Sequence, residues 1–417
     1  MKKKLPLVLF WLLSFILLSC SSSYDRGKYL ELSKPSIVDE GVLGAVFKSK
    51  KELNITLPEN VINSNLWVPE ILDDTLLYYM YENNKIAVVN LNSAKVDSIV
   101  VPLYHIDANI VAFYPISADS ILLVQDYPPV VFLIDNNDSV FYKKNMGKVD
   151  FETNNLDFNA LMSVLSNDDF NYNIDRYKNC YVDKGKGLLH IGISPVDYLI
   201  RSGMSATHTI GVFDLKKGEW HHTYGKARGL MKYSGSYCYG HIHSIKFFLV
   251  KGDTTIISYP ISHDVYLVNN NTDSLIAKYH ACSRYSTSIG EPYSRKVLIG
   301  DYQRRTNWRI KNPYYDKLMY YPEKKMYSRL YVKAQELYDT DGKLNSTLFN
   351  RNYVMLLFNE DFELIADYEI TDGEMSPLRN VPTSKGLLVA KPIKQEGVEA
   401  SSPELLQYTD IYETSEN

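Results

Sequence analysis

The chain has 417 residues, a formal net charge of −4, 45% hydrophobic residues and 13% aromatic residues. These figures exclude a disordered chain and a disulfide-dense mini-protein. Because 45 Lys and Arg do not exceed 49 Asp and Glu, they also argue against a nucleic-acid partner recruited by overall charge. Tyr is over-used, at 34 residues against 15 Phe.

The first segment reads as an address. Met1-Lys2-Lys3-Lys4 is basic, Leu5 to Leu18 is almost wholly apolar, and the apolar run is too short to cross a bilayer, which takes about twenty residues. A signal peptide over residues 1–19 is therefore expected. Its end, Leu17-Leu18-Ser19-Cys20-Ser21, resembles the lipobox of bacterial lipoproteins, in which the Cys becomes a lipidated N-terminus. The alternative is a plain signal peptide followed by an incidental Cys. Lipidation at Cys20 implies a membrane anchor, with residues 20–27 as tether and residues 28–417 as one folded domain. Loss of Lys2, Lys3 and Lys4 would carry the formal charge from −4 to −7. Cys180, Cys238 and Cys282 remain, too few and too widely spaced for a disulfide framework, and are read as buried thiols.

From Trp67 onward, short apolar runs alternate with Asn, Asp, Gly and Pro, which predicts strands and tight turns. Only Leu156 to Leu165 and Tyr331 to Tyr338 suggest short helices. One phrase recurs: Asp74-Thr75, Lys85 to Leu91 and Asp97-Ser98; then Asp119-Ser120, Pro129 to Asp135 and Asp138-Ser139; then Asp253-Thr254, Asp264 to Asn270 and Asp273-Ser274. Weaker copies begin near Gly187, Tyr327 and Gly386. About six units, each carrying an apolar strand that ends in Asn or Asp, predict an all-β fold: a β-propeller, expected to have six blades of four antiparallel strands. The last unit stops after its third strand, so the segment near Lys51 to Leu57 is expected to supply the fourth and close the ring. A β-sandwich would explain the strands but not the recurrence. Excess Tyr is then first a property of half-buried blade surface.

The lipobox, the length and the phrase Asn312-Pro313-Tyr314-Tyr315-Asp316-Lys317-Leu318-Met319-Tyr320 together resemble uncharacterised Bacteroidetes-type lipoproteins of the domain of unknown function 4221 family, grouped with β-propellers. The resemblance implies a propeller in the cell envelope and brings no activity or functional residue. It also implies a modification, since such bacteria O-glycosylate exported proteins at Asp-Ser/Thr before a methyl-bearing residue. Six positions match: Thr75, Ser98, Ser120, Ser139, Thr254 and Ser274. The competing reading is structural, with Asp accepting local hydrogen bonds as Ser or Thr enters a strand.

Chemistry-bearing motifs are sparse. His241 and His243 share a strand face at a spacing metal sites use, but no further ligands accompany them, so no metal and no cofactor is expected. No nucleophile elbow, phosphate loop or Ca²⁺ loop is present. The acidic pairs Asp73-Asp74, Asp168-Asp169 and Glu360-Asp361 fall in expected turns. The richest local composition is Tyr302 to Tyr338, where Arg304, Arg305, Trp308, Arg309, Tyr314 and Tyr315 could stack on sugars or pair with anions. The sequence therefore points to an envelope binding module for a glycan, peptide or partner protein, with no nucleic-acid role. The rival is a glycan hydrolase or lyase, recognisable by paired carboxylates or a His–carboxylate pair at the channel face.

Overall fold

Runs of Val, Ile, Leu, Phe and Tyr cut by turn residues favour antiparallel strands, and the chain forms little else. The computed structural model describes residues 50–54, 70–81, 85–93, 95–100, 110–126, 128–135, 139–149, 172–174, 180–195, 209–226, 237–238, 247–283, 285–286, 288–290, 293–294, 302–345, 351–370, 381–384, 386–391 and 405–410. Strand β1 (Lys50–Asn54) precedes a first meander of β2 (Glu70–Leu72), β3 (Leu76–Tyr81), β4 (Lys85–Asn90) and β5 (Lys95–Val100). The second meander is β6 (Ile110–Ser117), β7 (Ser120–Asp126), β8 (Pro129–Asp135) and β9 (Val140–Asn145). The third comprises β10 (Tyr172–Ile174), β11 (Cys180–Asp183), β12 (Leu188–Pro195), β13 (Ile210–Asp214) and β14 (Glu219–Tyr224).

After β15 (Tyr237–Cys238) comes the fourth meander, β16 (Phe247–Lys251), β17 (Thr254–Ser258), β18 (Asp264–Asn269) and β19 (Leu275–His280). Strand β20 (Tyr293–Ser294) pairs back with β15 as a ribbon. Helix α1 (Tyr302–Lys311) leads into the fifth meander, β21 (Tyr314–Tyr321), β22 (Met326–Val332), β23 (Tyr353–Phe358) and β24 (Leu364–Ile370). The chain then lays down β25 (Val381–Pro382), β26 (Gly386–Lys391) and β27 (Leu405–Asp410).

The sheets form a propeller. First strands of neighbouring sheets touch in turn: β2 with β6, β6 with β11, β16 with β21, β21 with β25, and β25 with β2. Five sheets are regular four-stranded blades. The third sheet has five strands because its first strand is interrupted, β10 pairing with the end of β12 and β11 with its beginning. The uniform four-stranded units expected from sequence thus apply to the five regular blades, with the split strand as the departure. Closure occurs as the missing fourth strand required: β1 runs antiparallel to β27, Lys50 opposite Thr409 and Asn54 opposite Leu405.

The recurrent phrase has a physical basis in the turn after each third strand. There the terminal Asn or Asp accepts backbone N–H groups of the turn: Asn90 from Asn92 and Ser93, Asp135 from Ser139, and Asp214 from Lys216 and Lys217. Asn269 does the same for Asn271 and Thr272, and Asn359 for Asp361 and Glu363. A carboxylate or amide oxygen thereby replaces a backbone acceptor and fixes the hairpin. At the β2–β3 turn both Asp73 and Asp74 have positive φ, 50° and 53°, the requirement of a type I′ hairpin.

Apolar packing lies between sheets. Tyr78 and Ile86 meet Phe113 and Phe132, Leu122 and Val131 meet Leu189 and Phe213, and Tyr224 meets Ile257 and Tyr259. Several Tyr are more buried than a half-buried blade surface implies, and their hydroxyls are satisfied inside: Tyr224 by Thr255 and His190, and Tyr321 by Ser328. Of the two expected helices, Leu156 to Leu165 lies outside the described residues. Tyr331 to Tyr338 is not a helix. Tyr331 and Val332 complete β22, the Lys333 N–H goes to the Asn352 carbonyl, and that of Gln335 goes to the Ile310 carbonyl.

Candidate functional site

Helix α1 was not expected from sequence, yet it organises the Arg- and Tyr-rich segment. Its stop signal is conventional: Arg309 and Lys311 in the last turn, then Asn312-Pro313. Three of its C-terminal carbonyls are claimed. Trp308 O receives the backbone and side-chain N–H groups of Asn312, Arg309 O receives the Arg351 guanidinium, and Ile310 O receives the Gln335 N–H. Arg351 is buried and also donates to the Lys333 carbonyl, so one side chain ties α1 to both ends of the β22–β23 loop.

That loop carries a small bridged hairpin. Tyr338 pairs with Leu344 across an isolated bridge, and Asp339 Oδ1 accepts the N–H groups of Asp341 and Lys343. Asn345 donates to the Glu336 and Leu337 carbonyls. Tyr338 is 58% exposed and Leu344 38%, an apolar pair on a stiff, otherwise polar projection. By register the loop and the end of α1 stand at the same end of the fifth blade, where Tyr314, Val332 and Tyr353 align.

The sequence-predicted residues divide around this projection. Trp308, Tyr314 and Tyr315 are buried, and their rings pack in the core rather than facing solvent. Trp308 packs against Gly290, where an added Cβ would stand 2.9 Å from the indole. Arg304 is exposed on α1, Arg305 shares the helix, and Arg309 lies 5.6 Å over the Tyr314 ring. The buried members thus support the platform, and Tyr338, the last residue of the Tyr302 to Tyr338 segment, forms its exposed tip with Leu344, which was not singled out.

The remaining positions are scattered. Ser139 and Ser274 are exposed, and Thr75, Ser120 and Thr254 are half-buried in hairpins, bonded to Leu72 O, Ser117 Oγ and Lys251 O respectively. Ser98 lies within β5. Three of the neighbouring carboxylates reach other sheets, whereas Asp97 pairs locally with Lys95 at 3.2 Å. Asp74 accepts from Ser384, Asp253 from Lys186 and Asp273 from Gly225, each partner lying on a neighbouring sheet. Cys20, His241 and His243 lie outside the described residues, and no group of three or more metal-ligating side chains occurs among the described ones.

Behind the platform, β22 is locked to the fourth blade by Arg329. Its Nε donates to Ser258 Oγ, and its two terminal nitrogens donate to the carbonyls of His263, Ala281, Tyr259 and Ser262 at 2.6–3.0 Å. All five N–H groups are used, and the guanidinium lies 3.5 Å over the Tyr315 ring. Burial pulls its pKa down to about 10, which still leaves it charged at neutral pH. His263 bonds the Tyr315 hydroxyl at 2.6 Å, and burial followed by the Arg329 charge brings its pKa down to about 4. Beside it, Asp264 and His280 form the one His–carboxylate pair among the described ion pairs, on the third and fourth strands of their blade.

No protein-family model and no curated protein matches the sequence. Solved structures do. The chain is similar to a member of the DUF4221 family from Bacteroides vulgatus, with 14% identity over 88% of this chain and 97% of that one and a TM-score of 0.62. An exported-protein candidate from Bacteroides fragilis is similar at 11% identity over 88% and 95% of the two chains, with a TM-score of 0.49. The first likeness establishes the shared fold and falls on the family that the Asn312 to Tyr320 phrase resembles.

Proposed function

We propose that this is a lipid-anchored cell-envelope module that binds a partner protein through the projection built on α1 and the β22–β23 loop. The observation that carries the reading is the exposed Tyr338–Leu344 pair on a hairpin stiffened from within. An aromatic anchor held in one conformation loses little entropy on binding, and an aliphatic neighbour suits a protein surface better than a sugar ring. Charges of both signs around it, Asp339, Asp341 and Lys343, would set orientation. The lipobox at Cys20 supports the anchor, and the fold shared with a Bacteroides protein is in keeping with an envelope location and with DUF4221 membership.

The test is recovery of partners from the native envelope with the full chain and with a Tyr338→Ala/Leu344→Ala variant. A protein retained by the parent and lost by the folded variant supports the reading. A glycan retained equally by both would replace it with sugar binding elsewhere on the ring. Lipidation is checked separately: a Cys20→Ser variant should leave the membrane fraction.

A further inference from the structure

Asp264 opens β18 and His280 closes β19, and the register places them directly opposite each other. Cross-strand partners share a face, so the imidazole meets the carboxylate, His280 Nδ1 standing 3.1 Å from Asp264 Oδ1. Lys278 Nζ holds the other oxygen at 2.9 Å. Two residues beyond His280, Cys282 returns to the same side, and its Sγ lies 3.1 Å from His280 Nε2. One imidazole is thus engaged on both nitrogens, by a carboxylate and by a thiol. This is the order of nucleophile, base and orienting carboxylate that activates a cysteine.

The surroundings place positive charge beside the sulfur. From β22, Arg329 donates to the carbonyl of Ala281, the residue preceding Cys282. The other titratable neighbours are Asp264 and Lys278 on the same hairpin, His263 on the preceding loop and Tyr315 from β21, whose phenol burial keeps neutral. Hydrogen bonds to Asp264 and then to Cys282 raise the His280 pKa to about 9, so the imidazole holds its proton at neutral pH. Cys180, the other thiol described, lies 3.8 Å from the Phe113 carbonyl.

We propose that Cys282 is a nucleophilic thiol, paired with His280 and oriented through Asp264, that reduces a small hydroperoxide. Size selects the substrate class: Cys282 is 2% exposed beside a His280 side chain 27% exposed, so attack at the sulfur requires a reactant little larger than water, entering along the imidazole edge. In the step, the thiolate attacks one peroxide oxygen, an S–O bond forms and the O–O bond breaks. The departing hydroxide takes the His280 proton and leaves as water. Sulfur is oxidised to the sulfenic acid as the peroxide is reduced, with hydrogen peroxide as oxidant and neutral His280 left behind.

The test uses the full chain in detergent, treated with hydrogen peroxide and trapped with dimedone, with adducts located by peptide mass. The native protein should label at Cys282 faster than at Cys180, by at least about tenfold, and Asp264→Asn should slow Cys282 by about tenfold. Should that variant fail to fold, the native protein alone decides through its pH profile. Because His280 holds its proton between pH 6 and 8, a rate flat over that range is expected. A rate that climbs tenfold per pH unit, or labelling of Cys282 only after denaturation, overturns the proposal.

Discussion

Both carboxylate oxygens of Asp74 lie 2.9 Å from the backbone nitrogen of Ser384, joining the turn of the first blade to the turn of the last across 310 positions of sequence. Ser384 also donates its hydroxyl to Glu323 Oε1, and its carbonyl receives the Glu323 N–H. Equivalent first turns are stitched elsewhere by Lys186 to Asp253 and by Lys184 to the Ile116 carbonyl. Since this bond is charge-assisted and part-buried, Asp74→Ala should cost about 1–3 kcal/mol, whereas Asp74→Asn, which keeps an acceptor, should cost less. Urea denaturation of the two variants measures the difference.

Arg329 is the most committed side chain of the fold. Its removal takes a donor from four buried carbonyls and from the Ser258 hydroxyl, and only those of Tyr259 and His263 keep a backbone N–H, from Ser262 and Ala281. Arg329→Met should destabilise by more than about 4 kcal/mol, and Arg329→Lys should rescue little, because one ammonium cannot reach both arms of the fork. Equilibrium unfolding, or loss of soluble expression for the Met variant, reports the outcome.

The Asp264–His280 pair makes stability pH-dependent in a defined direction. The folded-state pKa of His280 is raised to about 9 from 6.5. Its contribution is therefore complete below about pH 6.5 and declines as pH rises through about 9. Asp264 acts at the opposite end: burial opposes its charge, but bonds from His280 and Lys278 prevail and lower its pKa, so its contribution fades as pH falls through that lowered value. Denaturation midpoints at pH 6, 8 and 10 should fall in that order, and Asp264→Asn should flatten the trend.

Gly211 in β13 sits beneath an indole. An added Cβ would stand 2.4 Å from Trp220 Cζ3 and 3.1 Å from Ile193 Cδ1, so Gly211→Ala must displace a packed ring. Overpacking of this kind costs about 1–3 kcal/mol. A lowered thermal midpoint together with altered Trp fluorescence would be the signature.

Much of the architecture was legible because the turn chemistry repeats with the strands. Asn90, Asp135, Asp214 and Asn269 end third strands and Asn359 directly follows one, and a final unit one strand short required β1 as its partner. Helix α1 was not legible, since its ten residues are mostly polar and present no apolar stripe beyond Trp308 and Ile310. The Tyr-rich phrase suggested an exposed surface because Arg interleaves with it. In fact Arg329 and Arg351 turn inward, where backbone carbonyls replace water as their acceptors. The Asp264–His280–Cys282 alignment escaped because register, not spacing, brings its members together. Pairing the two predicted strands residue by residue would have revealed it.

The seam between β1 and β27 also orders events in time. A chain emerging from its N-terminus must keep Lys50–Asn54 idle while every other sheet is made, because its partner Leu405–Asp410 arrives last. Lys50, Lys51 and Glu52 suit that wait, since charges on an unpaired strand discourage pairing with other chains. The ring thereby carries a completeness check. A chain that stops short of Leu405 leaves its last sheet open and its first strand without a place to dock.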